Sequence, residues 1–347
     1  MTRNNGKVHD EEQLIQFCKR LPKVELHAHL TGSLSPSTFQ TLVNKHRANI
    51  PELEGFTLPE GKVKIAEFFD LFRIVNRLTA DEESLRFAAQ QVVQDFAADG
   101  VRYLELRTTP KISANMTKED YVRTVLSAIR TAPPNILVRL ILSVDRRETL
   151  EQAQETVDIA LKYKDEGVVG LDLCGHVEKG HFDIVKPAFV RAREGGLRLT
   201  VHFGEIPENL NEAESLLSVS PHRLGHATHV DPASQQIIRS QNIPIEICMS
   251  SNVLSHTVAS FEDHHVKDHL REGHAVVLCT DDKGVFLSEL SNEYAIAART
   301  FGMTEMQLFE LSRRGIACIF EEEEVKEQLR EEWDRWWKEY ICKTTLN

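Results

Sequence analysis

Eight short runs of apolar and β-branched residues recur along the chain, at Val24–Leu30, Val101–Arg107, Leu137–Val144, Val168–Leu173, Leu197–Phe203, Arg223–Ala227, Pro244–Cys248 and Ala275–Cys279. Between them the apolar positions shift to a spacing of three and four. This alternation predicts βαβ units and a parallel sheet. Residues 81–99 show the helical pattern: Leu85, Ala88, Val92 and Phe96 share one face, Thr79 and Glu82 read as a capping box, and Gly100 follows the end. No Pro/Gly/Ser linker and no internal repeat interrupts the series. An α/β architecture, a single (β/α)8 TIM barrel over residues 1–347, is therefore expected, with an open doubly wound sheet as the alternative. Two additions decorate it: a helical insertion at about 36–99 that can roof the barrel mouth, and C-terminal helices at about 288–342. In the last helix, Trp333, Trp336 and Trp337 have the spacing of a packed apolar stripe, and Glu321–Glu324 read as a solvated helix start.

Composition narrows the setting. Apolar residues at 41% and charged residues at 27% are globular values. No apolar stretch approaches the ~20 residues that span a bilayer, and the polar opening lacks a secretory core, so a cytosolic protein with no membrane partner is expected. The six cysteines form no CxxC pair and read as reduced, mostly buried residues. A net charge of -12 argues against nucleic-acid binding, although a small anionic ligand needs only a local cationic pocket. A monomer is expected.

The chemistry gathers at strand ends. His27 and His29 lie two apart in the first run, which puts both imidazoles on one face of a strand. His202 ends the fifth run in HFGE, His226 the sixth in LGHAT, and Asp281–Asp282 the eighth in LCTDD. The C-terminal ends of barrel strands are where active sites form. A single buried histidine is ordinary, but four converging with two carboxylates are not, and unpaired they would be costly to bury. Three imidazoles and one carboxylate suit Zn²⁺ with one position left open, and His27, His29, His202 and Asp281 are assigned as ligands of one zinc ion. Glu205 is placed to act as a general acid, its carboxyl kept protonated by burial, and His226 to orient or deprotonate the attacking water. Asp282 offers a further hydrogen bond, and Gly175 lets a substrate approach the backbone closely.

In order along the chain, ELHAHLTGS, YLELRTTP, GLDLCG, HFGE, RLGHAT, CMSSN and CTDDKGVF cover about residues 20–300 and resemble the successive motifs of the adenosine deaminase superfamily. The resemblance implies a zinc-dependent hydrolase of purine C–N bonds with Glu205 as the proton donor, and on a purine the hydrogen bond of Asp282 would reach ring N7. LPKVELHAHL, YLELRTTPK, SVDRR and CTDDKGVF are most similar to the branch acting on N6-substituted adenine nucleotides, which implies conversion of N6-methyl-AMP to IMP and methylamine. Adenosine deaminases proper carry aspartate two residues beyond the second ligand histidine, whereas this chain has Thr31, which removes a charge that would repel phosphate. Thr108, Thr109, Pro110 and Lys111 then form a candidate anion cradle, Asp145 a candidate ribose contact, and Arg146 or Arg147 a supplement to the field. His29 and Asn76 complete the expected substrate-binding set. Asn76 stands where relatives often have histidine, and His176 where an acidic residue is common. An adenosine or AMP deaminase is the alternative within the class. A catalytically inactive barrel serving as a binding module is the alternative outside it, and would be expected to have lost a ligand or the proton donor. A phosphotriesterase-like barrel would need a bridging lysine or carboxylate. The HxE plus PCxxC signature of deaminases acting on nucleic-acid bases is incomplete here, because PCxxC is absent from the sequence.

Overall fold

The computed structural model describes residues 11–53 and 73–345. Eight strands, β1 (Lys23–His29), β2 (Val101–Thr108), β3 (Leu137–Asp145), β4 (Val168–Cys174), β5 (Arg198–Phe203), β6 (Arg223–His226), β7 (Ile245–Ile247) and β8 (Val276–Leu278), pair in parallel in sequence order. Helices lie between and around them in a (β/α)8 barrel, among them Glu82–Ala98, Lys118–Ile129, Leu150–Lys162 and Phe182–Glu194. The outward strand positions, such as Leu26, Ala28, Leu104 and Leu106, are fully buried in one apolar layer beneath the helices. Between β1 and β2 lies the helix Pro36–His46, and residues 54–72 of the expected insertion fall outside the described residues. Among the described residues, no helix is long and apolar enough to cross a membrane.

The inward positions are not the aliphatic layers usual for such barrels. Glu25, Glu105, Arg107, Asp172, Arg223 and Glu246 are all fully buried. Arg107 donates to Asp172 Oδ1 (3.2 Å) and Glu246 Oε2 (2.8 Å), while Arg223 donates to Glu246 Oε1 (2.6 Å) and Glu105 Oε2 (2.5 Å). A buried carboxylate is tolerated only when paired and hydrogen-bonded, and two guanidiniums supply the donors here. The period of two that points His27 and His29 inward also points these charges inward, so the ion column forms the floor of the mouth.

Barrel closure is thin. Between β8 and β1 the strand ladder shrinks to a bridge between Ala28 and Asp281, with His29 N–H donating to Asp281 O (2.9 Å) and Asp281 N–H to His27 O (2.7 Å). Deeper in the seam the Glu25 carboxylate accepts from the amides of His27 (2.7 Å) and Thr280 (2.9 Å).

The cap of Glu82–Ala98 differs from expectation. Asp81, not Thr79, is the N-cap and accepts from Ser84 N–H at 2.9 Å, while the Thr79 hydroxyl turns back to Val75 O. Asp81 sits immediately before the first helical residue and carries a full negative charge for the helix dipole, so it takes the position. At the other end of the chain, Trp333 is buried with its Nε1 donating to Ser312 Oγ (2.9 Å), and Trp337 stacks on Phe309. The tryptophan stripe fastens the last helix, Glu323–Thr345, to the barrel.

Candidate active site

A cavity of about 300 Å³ opens at the C-terminal ends of the strands, lined by residues of the barrel strands and the loops that follow them. Four side chains meet at its floor. His27 Nε2 lies 3.2 Å from His202 Nε2 and 3.5 Å from Asp281 Oδ1; His29 Nε2 lies 3.3 Å and 3.4 Å from the same two atoms. These four separations are close to the ~3.3 Å between neighbouring donors around a metal with bonds of about 2.0–2.1 Å, so each first-strand histidine stands at coordination spacing from His202 and Asp281. The second nitrogens explain their direction. His27 Nδ1 donates to Glu246 Oε2 (2.7 Å) and His202 Nδ1 to Asp172 Oδ1 (3.1 Å), which leaves the Nε2 lone pairs facing the centre. Facing lone pairs repel unless a cation lies between them. Burial alone would lower His202, yet the Asp172 charge and hydrogen bond outweigh it and raise the imidazole to about 9, so this corner favours a positive charge. The residues present therefore fit a metal ion. His27, His202, His226 and Asp281 form a group whose ligand atoms all lie within 4.8 Å of one another. His226 Nε2, however, is 3.8 Å from Asp281 Oδ2, beyond the separations formed by His29.

Local backbone aims these groups. His226, at the end of β6, and Asp281, just beyond β8, both have φ of 61°, a left-handed conformation uncommon for side-chain-bearing residues. Gly204 (φ 56°) makes the turn between His202 and Glu205; a Cβ there would stand 2.0 Å from His229 O. That turn brings the Glu205 carboxylate to 3.9 Å from His226 Nε2. Burial raises the Glu205 carboxyl above its ordinary range, while burial keeps His226 far below the usual imidazole value and hence neutral. Asp282 is raised well above the carboxylate range, first by burial and then by the adjacent Asp281 charge. Asp281 is held low by His27 and His226 against its own desolvation.

The anticipated substrate contacts divide. Thr31, Asn76, Thr109, Lys111, Asp145, Gly175 and Asp282 line the cavity with His29, His202, Glu205 and His226. Thr108 and Pro110 do not: the Thr108 hydroxyl bonds Tyr121 OH (2.7 Å) and Pro110 is buried. The period of two accounts for Thr108, which lies on the outward face of β2 while Arg107 points inward. Lys111 Nζ donates to Asn76 Oδ1, and burial lowers the amine to about 8. Arg147 joins the wall, pairing through Nε with Asp145 Oδ1 (2.8 Å), whereas Arg146 is turned away and pinned by Glu212. Burial would raise Asp145, but its bonds to Arg147 prevail and lower it. Gly175 has φ 117°, and a Cβ would come within 2.6 Å of Asp145 Oδ1, so only glycine leaves that carboxylate its place. Sequence reasoning did not single out Arg107, Asp172, Glu246, Ser251 or Asn252. A signal was present, since each charged one interrupts an apolar strand at an inward position.

The adenosine deaminase family model matches residues 22–336, nearly the whole described chain. The chain belongs to the adenosine deaminase family. Similar members include the N6-methyl-AMP deaminase of Danio rerio, 42% identical over 91% of this chain and 95% of that protein. Among solved family members, the arabidopsis N6-mAMP deaminase aligns with a TM-score of 0.87 at 40% identity over 92% of this chain and 99% of that one. Arabidopsis ADAL complexed with IMP aligns with a TM-score of 0.86 at 38% identity, covering 92% and 98%.

Proposed function

We propose that this protein is a zinc-dependent hydrolytic deaminase converting N6-methyl-AMP and water to IMP and methylamine. The observation that carries the reading is the convergence of His27, His29, His202 and Asp281, with both first-strand histidines 3.2–3.5 Å from His202 and Asp281, beside the raised carboxyl of Glu205. The family and its N6-methyl-AMP deaminases support the substrate class. In this reading those four residues hold a single Zn²⁺, which supplies a Lewis acid and an activated water at neutral pH. The rest of the work falls to the chain. Glu205, protonated, gives its proton to ring N1 and so makes C6 electrophilic; Asp282 hydrogen-bonds N7; His226 faces the nucleophile. Gly175 lets the base lie close to the strand ends. The phosphate is held at the Thr31 and Lys111 side of the cavity, where hydroxyl and ammonium groups meet and no carboxylate stands at position 31.

The test is direct. Purified protein loaded with one equivalent of zinc is mixed with N6-methyl-AMP, AMP, N6-methyladenosine and adenosine, and 6-oxopurine formation is followed by absorbance and chromatography. IMP from N6-methyl-AMP with the highest kcat/KM supports the reading. Preference for either nucleoside returns the chain to adenosine deaminase chemistry.

A further inference from the structure

The hydrogen bonds behind His226 run in one direction, and backbone groups fix that direction. Asn252, in the short helix Met249–Leu254, has Nδ2 3.3 Å from His226 Nδ1 and Oδ1 3.2 Å from His264 Nε2. The orientation of its amide follows from both flanks. On one side, Val266 N–H donates to His264 Nδ1 (3.2 Å); a nitrogen that accepts from a backbone amide carries no proton of its own, so the His264 proton is on Nε2 and is donated to Asn252 Oδ1. On the other, the Thr257 hydroxyl spends its hydrogen on Asn252 O (3.1 Å), so its oxygen is free to accept from Asn252 Nδ2 (3.2 Å). Both flanks place oxygen toward His264 and NH₂ toward His226. His226 Nδ1 is then an acceptor, and the proton of the neutral ring sits on Nε2. That atom faces Asp281 Oδ2 at 3.8 Å, a carboxylate acceptor suited to an N–H and not to a lone pair, with Glu205 Oε2 at 3.9 Å.

We propose that Asn252, oriented by His264 and Thr257, is a positioning residue that fixes His226 as its Nε2–H tautomer, so that His226 donates a hydrogen bond to the nucleophile and does not take its proton. This rests on the deaminase reading for its catalytic consequence, but the tautomer itself does not depend on it. It also removes His226 as a metal ligand, because an Nε2 that carries a proton has no lone pair for the ion, and so favours His29 as the third imidazole.

The experiment uses the full chain, labelled with 15N-histidine and loaded with zinc, in a two-bond proton–nitrogen correlation spectrum, with the His226 signals identified by their loss in His226→Gln. The expected pattern is a protonated Nε2 and an unprotonated Nδ1. Asn252→Asp keeps the shape but offers His226 an acceptor; the proton should move to Nδ1, and kcat should fall at least tenfold while bound zinc stays at one equivalent. His264→Gln, whose amide can still donate to Asn252 Oδ1, should retain the wild-type His226 pattern and most of kcat, whereas His264→Leu should not. A wild-type His226 protonated on Nδ1 overturns the proposal, as does an Asn252→Asp enzyme at or above wild-type turnover. If no purine is turned over, the deaminase reading fails while the spectrum still decides the tautomer.

Discussion

Single atoms decide this site, and Glu205 shows how. Its carboxyl is raised by burial, and Glu205→Gln keeps its shape while removing the transferable proton. The expected result is zinc retained at one equivalent and kcat lowered by about 10²–10⁴-fold, read by metal analysis beside steady-state kinetics. At position 31 the argument is one of charge. Thr31→Asp sets a carboxylate on the cavity wall where the phosphate is proposed to lie, and repulsion inside a closed pocket is weakly screened. The kcat/KM for N6-methyl-AMP should collapse while that for N6-methyladenosine holds or rises; equal loss on both would place the phosphate elsewhere. Lys111 adds a pH signature. With its amine lowered to about 8, it is charged below that value and neutral above it. The ratio of nucleotide to nucleoside kcat/KM should therefore fall as pH rises through about 8, and Lys111→Ala should flatten that ratio. Thr31 was visible in the sequence through its contrast with the aspartate of adenosine deaminases proper, and Lys111 because it lies in the loop after the second strand. The turned-away Arg146 was not distinguishable from Arg147 there, since its turning away depends on Glu212, 66 positions further on.

At the scale of strands, the histidines proposed as metal ligands hang on the ion column beneath them. Asp172 on β4 receives Arg107 from β2, Ser143 from β3 and His202 from β5, and Arg107 and His202 hold its carboxyl well below the usual range despite burial. Asp172→Asn should leave the His202 ring less basic and free to turn, weakening zinc by roughly 10–100-fold in a chelator competition. Unchanged zinc affinity would show that the imidazole is oriented by packing alone. This layer was the least legible from sequence. Runs such as YLELR and GLDLC give away their strands by their apolar residues, and a reader weighing hydrophobicity passes over the one charge among them. Its partners sit on other strands, so its meaning appears only when the barrel closes. The helix starting at Glu82 failed differently: two local capping patterns competed within three residues, and propensity alone did not rank Asp81 above Thr79.

For the whole molecule, eight strand–helix units with no linker between them favoured a closed parallel barrel over an open doubly wound sheet, since crossover handedness is the same in both and only the count and continuity separate them. It could not say where the ring would join. The join is the seam between β8 and β1, a single residue bridge at Asp281 backed by the Glu25 carboxylate, and it coincides with the proposed ligand set: His27 and His29 on one lip, Asp281 on the other. An ion held across that gap acts as a clasp on the cylinder as well as a reagent. Removing zinc should then unfasten the ring along one line, and hydrogen exchange should quicken at the amides of His29 and Asp281, which bridge the two lips. The amides of β3 and β4, deep in a continuous ladder, should keep their protection. Equal quickening everywhere would mean that the metal steadies the fold as a whole, and no change at the seam would mean that the ring stays shut without it.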